Sequence, residues 1–193
     1  MIERLATRRD ALRGGLIAGA ALTASLAPSP LGVARAFGQA DTSTASGDAG
    51  ILEGAIGVEQ TAAVAYETIA KQGLLAPETS TAGSFASQSR AHADLLSAAL
   101  EGLDGAPPAE PLPTDIPGFT EVTTKAGALQ FLVLLENQAI ARYVEGVKTL
   151  EDPKYMAMFA QIVPNHGQHL VVLRQALGTD PMPVPLPDGT EKT

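Results

Sequence analysis

The sequence predicts an all-α fold, a four-helix bundle with a long crossover between its second and third helices (helices A to D in sequence order). Three observations carry that expectation. Two segments repeat at an offset of 77 residues: Glu59-Gln-Thr-Ala-Ala-Val-Ala-Tyr66 with His92-Ala-Asp-Leu-Leu96, and Glu136-Asn-Gln-Ala-Ile-Ala-Arg-Tyr143 with His169-Leu-Val-Val-Leu173. Hydrophobic residues make up 45% of the 193-residue chain but aromatics only 4%, so the core must be rich in Ala and Leu, which suits close-packed helices. Apolar residues also recur at helical spacing on each predicted helix.

Helix A is expected over about Gly50 to Gln72, with Asp48 capping its start and Gly73 its end. Helix B begins between Pro77 and Ser84 and ends near Glu101. Residues 102–118 carry five prolines, which excludes an α-helix and leaves a connection long enough to cross the bundle. Helix C is expected from about Thr124 to Leu150. Asp152-Pro153 places a cap before proline at the first helical position, so helix D starts there and stops at Gly178, with a kink expected at Pro164. The bundle therefore covers residues 50–178. The tail, residues 179–193, carries four prolines and is expected to be extended and outside the core.

Residues 1–36 read as an export signal. A basic segment with Arg8-Arg9 precedes a Gly- and Ala-rich apolar stretch, Gly14 to Ala27, too short to favour a full membrane span. Ala34-Arg35-Ala36 supplies a small-x-small cleavage site. The paired arginines resemble a bacterial twin-arginine signal, with Ala11 where that pattern carries Phe. Residues 37–49 form a small, polar linker. This organisation implies a periplasmic, cell-envelope or extracellular protein without a stable membrane span after cleavage. The chain has no cysteine, which excludes disulfides and thiolate zinc sites. Beyond residue 36 it carries 8 basic and 19 acidic residues, a net charge of −11 that disfavours nucleic acid as a partner.

The acids carry the functional argument. On helix C, Glu136 lies within an apolar stripe of Leu129, Leu132, Val133, Ile140, Tyr143 and Val147; on helix A, Glu59 lies among Ile56, Ala63, Tyr66 and Ile69. A buried carboxylate is costly unless paired, protonated or bound to a cation. His92 is expected to face inward with Leu95, Leu96 and Ala99, and His169 with Val172, Leu173 and Ala176. His166, the third of three histidines, lies one turn before His169 and turns inward or outward according to the bend at Pro164. If the helices alternate in direction, one polar group from each converges on one level, and a metal ion satisfies them all. The competing reading is a metal-free core in which Glu59 pairs with His169 and Glu136 with His92. Tyr66 and Tyr143 are expected to pack beside this level through hydroxyl bonds, and Gln88 either donates to the site or is polar filler.

With these residues the chain resembles the ferritin-like superfamily, in particular exported bacterial ferritin-like proteins grouped with desiccation-related proteins. The resemblance covers residues 50–178 and implies a core metal site built from a lone Glu on each of helices A and C and Glu-x-x-His on B and D. Glu59, Glu136, His92 and His169 match that pattern, whereas Ser89 and His166 stand where it has its bridging acids. The implied metal set is Glu59, His92, Glu136, His166 and His169, which suits one ion of iron, manganese, zinc or copper better than an oxygen-bridged pair. Metal handling or stress protection is the implied role, with a homo-oligomer left open. The alternatives are a metal-free structural or binding module of the cell envelope and, last, a redox-iron enzyme. The sequence points to no catalytic base, nucleophile or phosphate loop.

Overall fold

A computed structural model describes residues 47–184 and 187–189. Four long helices dominate: α1 (Asp48–Lys71), α2 (Thr79–Glu101), α3 (Lys125–Thr149) and α4 (Pro153–Leu177). No strand occurs among the described residues. The predicted export signal and most of the predicted linker lie outside them. Each helix is roughly 36 Å long at 1.5 Å per residue. Short turns join α1 to α2 and α3 to α4, making two hairpins; α1 packs against α3 to join them, while α2 and α4 meet only sparsely.

Local chemistry explains the boundaries. Thr124 caps α3 by accepting from the Gly127 N–H at 3.1 Å, and Asp152 caps α4 by accepting from the Lys154 N–H at 2.9 Å. Gly73 and Gly178 follow α1 and α4 with φ of 69° and 72°, the left-handed backbone that glycine adopts without steric cost. Asp48 departs from expectation. It lies in the first turn of α1 and makes no cap there; instead its two carboxylate oxygens accept the N–H groups of Glu151 and Asp152 at 2.7 and 2.9 Å. It thereby ties the start of the first helix to the turn of the second hairpin. α4 runs unbroken through Pro164.

The crossover is not wholly irregular. Pro113–Asp115 forms a single 3-10 turn within residues 102–118, and Phe119–Glu121 a second just after them. Proline is tolerated in such a turn because the N–H it lacks would be unpaired there. The crossover is held to the first hairpin by Gln60, whose amide donates to the Pro108 carbonyl at 3.2 Å, and by the Arg90–Glu110 ion pair. Buried Ile116 and Phe119 anchor its end. The tail, expected outside the core, bends back over the bundle: a side chain at Gly189 would stand 2.1 Å from the Asn137 carbonyl oxygen of α3.

Two apolar clusters fill the interior. One gathers Tyr66, Ile69, Phe85, Leu129, Leu132 and Leu173; the other gathers Leu52, Ile56, Leu96, Tyr143, Phe159 and Ile162. Between them lies a layer containing Glu59, Glu136, His166 and His169, all essentially inaccessible to solvent. The histidine-bearing faces are narrower than expected. Leu96 and Leu173 are buried, but Leu95 and Val172 are 48% and 38% exposed, and Ala176 is also exposed. The sparse α2–α4 contact turns residues three positions after each histidine out to water and leaves those four positions after it inside.

Candidate metal centre

Each acid enters the layer because its helix turns its apolar stripe inward and carries the acid with it. The tyrosines follow from the same geometry. Tyr66 lies seven residues after Glu59, and Tyr143 seven after Glu136, so each shares its acid's helical face. The packing crosses these pairs. The Tyr66 hydroxyl donates to Glu136 Oε1 at 2.5 Å, and the Tyr143 hydroxyl donates to Glu59 Oε1 at 2.5 Å. This exchange places α1 and α3 antiparallel and gives each buried carboxylate a donor from the opposite hairpin.

The histidines complete the layer. His166 lies between the acids, with Nδ1 2.7 Å from Glu136 Oε2 and Nε2 2.9 Å from Glu59 Oε1. His169 Nδ1 is 3.0 Å from Glu136 Oε1, and its Nε2 is 2.7 Å from Gln88 Oε1. His92 Nδ1 lies 3.3 Å from Glu59 Oε1 but without hydrogen-bonding geometry, and its side chain is 17% exposed. All five residues expected at the site are thus brought together, and His166 points inward. The metal-free pairing expected from sequence is not the one found: Glu59 meets His92 and His166, and Glu136 meets His166 and His169.

Charge at the centre follows from this geometry. Burial raises the pKa of each acid, but the charge of His166 and its hydrogen bonds, aided by His92 at Glu59 and His169 at Glu136, hold both carboxyls down at about 2. Burial likewise disfavours the His166 cation, yet the charges of Glu136 and Glu59 outweigh it and push its pKa up to about 10. Both ring nitrogens of His166 face carboxylates, which only accept, so at neutral pH this histidine is an imidazolium donating to both. Burial, and then the carboxylate charges, push both tyrosines well above their ordinary range, so they remain neutral donors.

The surroundings add residues the sequence reading missed or misjudged. Gln88 accepts the Asn165 amide on Oε1 at 2.8 Å, and the same oxygen meets His169 Nε2. Gln88 and Asn165 are themselves counterparts at the 77-residue offset, a signal the repeat already held. Phe85 stacks on His169 with ring centroids 3.8 Å apart, and Tyr143 stacks on His166 at 5.4 Å. Phe85 had no polar signature to mark it.

The residues present fit a metal ion. Glu59, His92 and His166 form one group of ligand atoms lying within 4.8 Å of one another, and Glu136, His166 and His169 form a second. Imidazole and carboxylate together suit zinc, manganese, iron or copper. In the first group Glu59 Oε2 and His92 Nδ1 are buried without a hydrogen-bond partner, and Ser89 Oγ nearby in sequence is likewise unpartnered. Such groups are costly to bury, and a cation satisfies the carboxylate and the imidazole lone pair together.

Comparison with known proteins bears on the same residues. A sequence model of the ferritin-like domain matches residues 47–179, a span holding all four helices and every residue of the centre. No curated protein and no solved structure matches the chain.

Proposed function

This chain belongs to the ferritin-like domain family, and from that premise we propose that it is an exported protein that binds one first-row transition-metal ion in its bundle core. One observation carries the reading: Glu59 Oε2 and His92 Nδ1 are buried and unpartnered within a group of three metal-ligand side chains. Glu59, His92 and His166 hold the ion, His166 giving up a ring proton on binding so that one nitrogen lone pair is free, and Glu136 and His169 complete the donor set around it. Tyr66 and Tyr143 donate to the acids and fix their orientation. When bound, the ion supplies the positive charge that the two buried acids otherwise take from His166. Metal handling or protection against oxidant stress is the role such a site serves in an exported ferritin-like protein.

Metal analysis and thermal unfolding of untagged protein test this directly. Chelated protein should take up about one equivalent of zinc, manganese, ferrous iron or copper, and a hundredfold excess of ion over Kd should add about 2.7 kcal/mol of stability. His92→Ala and His166→Ala should abolish that gain. A chelated parent that takes up none of these ions sinks the metal reading.

A second reading has its own support. His166 joins both acids, so a protonated His166 partly neutralises the layer without metal. The protein is then a metal-free module of the cell envelope. Export is tested separately by mass spectrometry on the producing cell, where the mature N-terminus should lie near Phe37 or just after Ala40; an intact Met1 argues for a retained anchor.

A further inference from the structure

The metal centre approaches solvent at one residue. Glu59, Glu136, His166 and His169 are buried, whereas the His92 side chain is partly exposed. His92 therefore spans the distance from water to the acids: part of its side chain reaches the surface, while Nδ1 is buried 3.3 Å from Glu59 Oε1. Elsewhere the bundle is covered. The crossover is held over the first hairpin by Gln60 and Arg90, the Arg142 side chain of α3 lies over Gly54 of α1, and the tail lies over Asn137.

The seam between α2 and α4, where His92 emerges, is built differently. These helices meet only sparsely, and the exposed side chains of Leu95 and Val172 belong to their open side. Among the described residues, every hydrogen bond between the two helices ends on one atom, Gln88 Oε1. It accepts the Asn165 amide at 2.8 Å and meets His169 Nε2 at 2.7 Å. Asn165 gains nothing further from its place, since its Oδ1 is buried without a partner. One neutral hydrogen bond with little packing around it is a weak closure, and such segments open locally far more often than a packed core.

We propose that the metal ion enters and leaves the centre between α2 and α4, past His92, and that the Asn165–Gln88 hydrogen bond latches this seam. The proposal rests on the metal-binding reading and adds a route to it. His92 is the first residue of the centre that an incoming ion meets. Arg90, the one basic residue of α2, does not oppose a cation there, because its guanidinium is committed to Glu67 and Glu110.

Stopped-flow mixing of the chelated full chain with zinc and a zinc-sensitive dye reads uptake, and transfer from the loaded chain to a chelator reads release. Asn165→Ala should speed both by about fivefold, the weight of one neutral hydrogen bond, whereas losing a ligand speeds release alone. Leu95 lies three residues after His92, so a charge placed there stands one helical turn from the entry point. Leu95→Arg should slow uptake about tenfold at low ionic strength and Leu95→Glu should speed it by a similar factor, both effects shrinking in salt. The position is exposed and both residues favour helix, so these variants should fold. Leu112→Arg adds the same charge at an exposed site on the crossover and should leave uptake within about twofold of the parent. Zinc binding whose uptake ignores the charge at Leu95, or responds equally to Leu112→Arg, overturns the route alone and leaves the metal reading standing. Unchanged rates in Asn165→Ala overturn the latch. A parent that binds no zinc, manganese, iron or copper at equilibrium overturns the route together with the metal reading.

Discussion

The two hairpins share a sequence pattern but treat their acids differently. Glu136, in the second hairpin, receives the Tyr66 hydroxyl on Oε1, which also meets His169 Nδ1, and His166 on Oε2. Glu59, in the first, gathers Tyr143 and His166 on Oε1 alone and leaves Oε2 buried without a partner. The cause is one pair of counterparts, Ser89 and His166. The imidazole on α4 reaches both acids, whereas the short Ser89 side chain on α2 reaches neither, its Oγ being unpartnered. The second hairpin thus supplies both histidines that meet its own acid, with the Tyr66 hydroxyl added from the first hairpin, and lends His166 to Glu59. A near-repeat has become a division of labour, with the unpartnered Glu59 Oε2, His92 Nδ1 and Ser89 Oγ all on the first hairpin.

The largest effect that tests this contrast is expected at His166. His166→Leu removes the shared cation and leaves two buried carboxylates facing one another, which should cost about 3–5 kcal/mol in chelated protein, measured by urea unfolding. A loss below about 1 kcal/mol means the acids do not depend on His166.

The tyrosines offer a finer comparison. Each donates to a charged acceptor, a bond contributing about 1.5–3 kcal/mol. Tyr143→Phe should cost more than Tyr66→Phe, because Glu59 keeps fewer donors than Glu136 after the loss. Equal losses in the two variants mean that the acids are equally supported and the asymmetry has no energetic weight.

The pH dependence of the chelated protein follows from the same groups. The acids fall from an ordinary 4.5 to about 2 on folding, so their stabilisation is present above about 4.5 and is lost as pH falls towards 2. His166 rises from 6.5 to about 10, so its stabilisation is present below about 6.5 and is lost as pH rises through 10. The melting temperature should peak between these limits. Circular-dichroism melts across this range check it, and stability that keeps rising above pH 7 contradicts a protonated His166.

Ser89→Ala should give the smallest effect, within about 0.5 kcal/mol by the same unfolding measurement, since its hydroxyl has no bond to lose. A loss above about 1 kcal/mol shows that Ser89 supports Glu59 after all.

Much of this centre was legible because a carboxylate inside an apolar helical stripe contradicts its surroundings, and because the contradiction recurs at the same offset. Glu59, Glu136, His92 and His169 stood out for that reason. Which histidine meets which acid was not legible, since spacing defines a helix's inner face but not its rotation against neighbours. The same gap misplaced Leu95, Val172 and Ala176, which lie one turn or two beyond the histidines on the side that α2 and α4 leave open. His166 was undecided because proline two residues earlier left its direction open, and the unbroken helix sends it to the centre. Asp48 looked like a local cap because its partners, Glu151 and Asp152, lie over a hundred residues away.

The crossed bonds between Tyr66 and Glu136 and between Tyr143 and Glu59 have a consequence for how the chain selects a single docking of its halves. An Ala- and Leu-rich interface is tolerant, and α3 sliding along α1 by one turn would still bury mostly aliphatic surface. That slide, however, strips the hydroxyl from both carboxylates in the same movement, because the two bonds share one antiparallel register. Every misalignment therefore strands two buried charges rather than one. The layer works as a vernier between the hairpins, and alignment is enforced by polar groups in a core whose apolar surfaces would accept several alternatives.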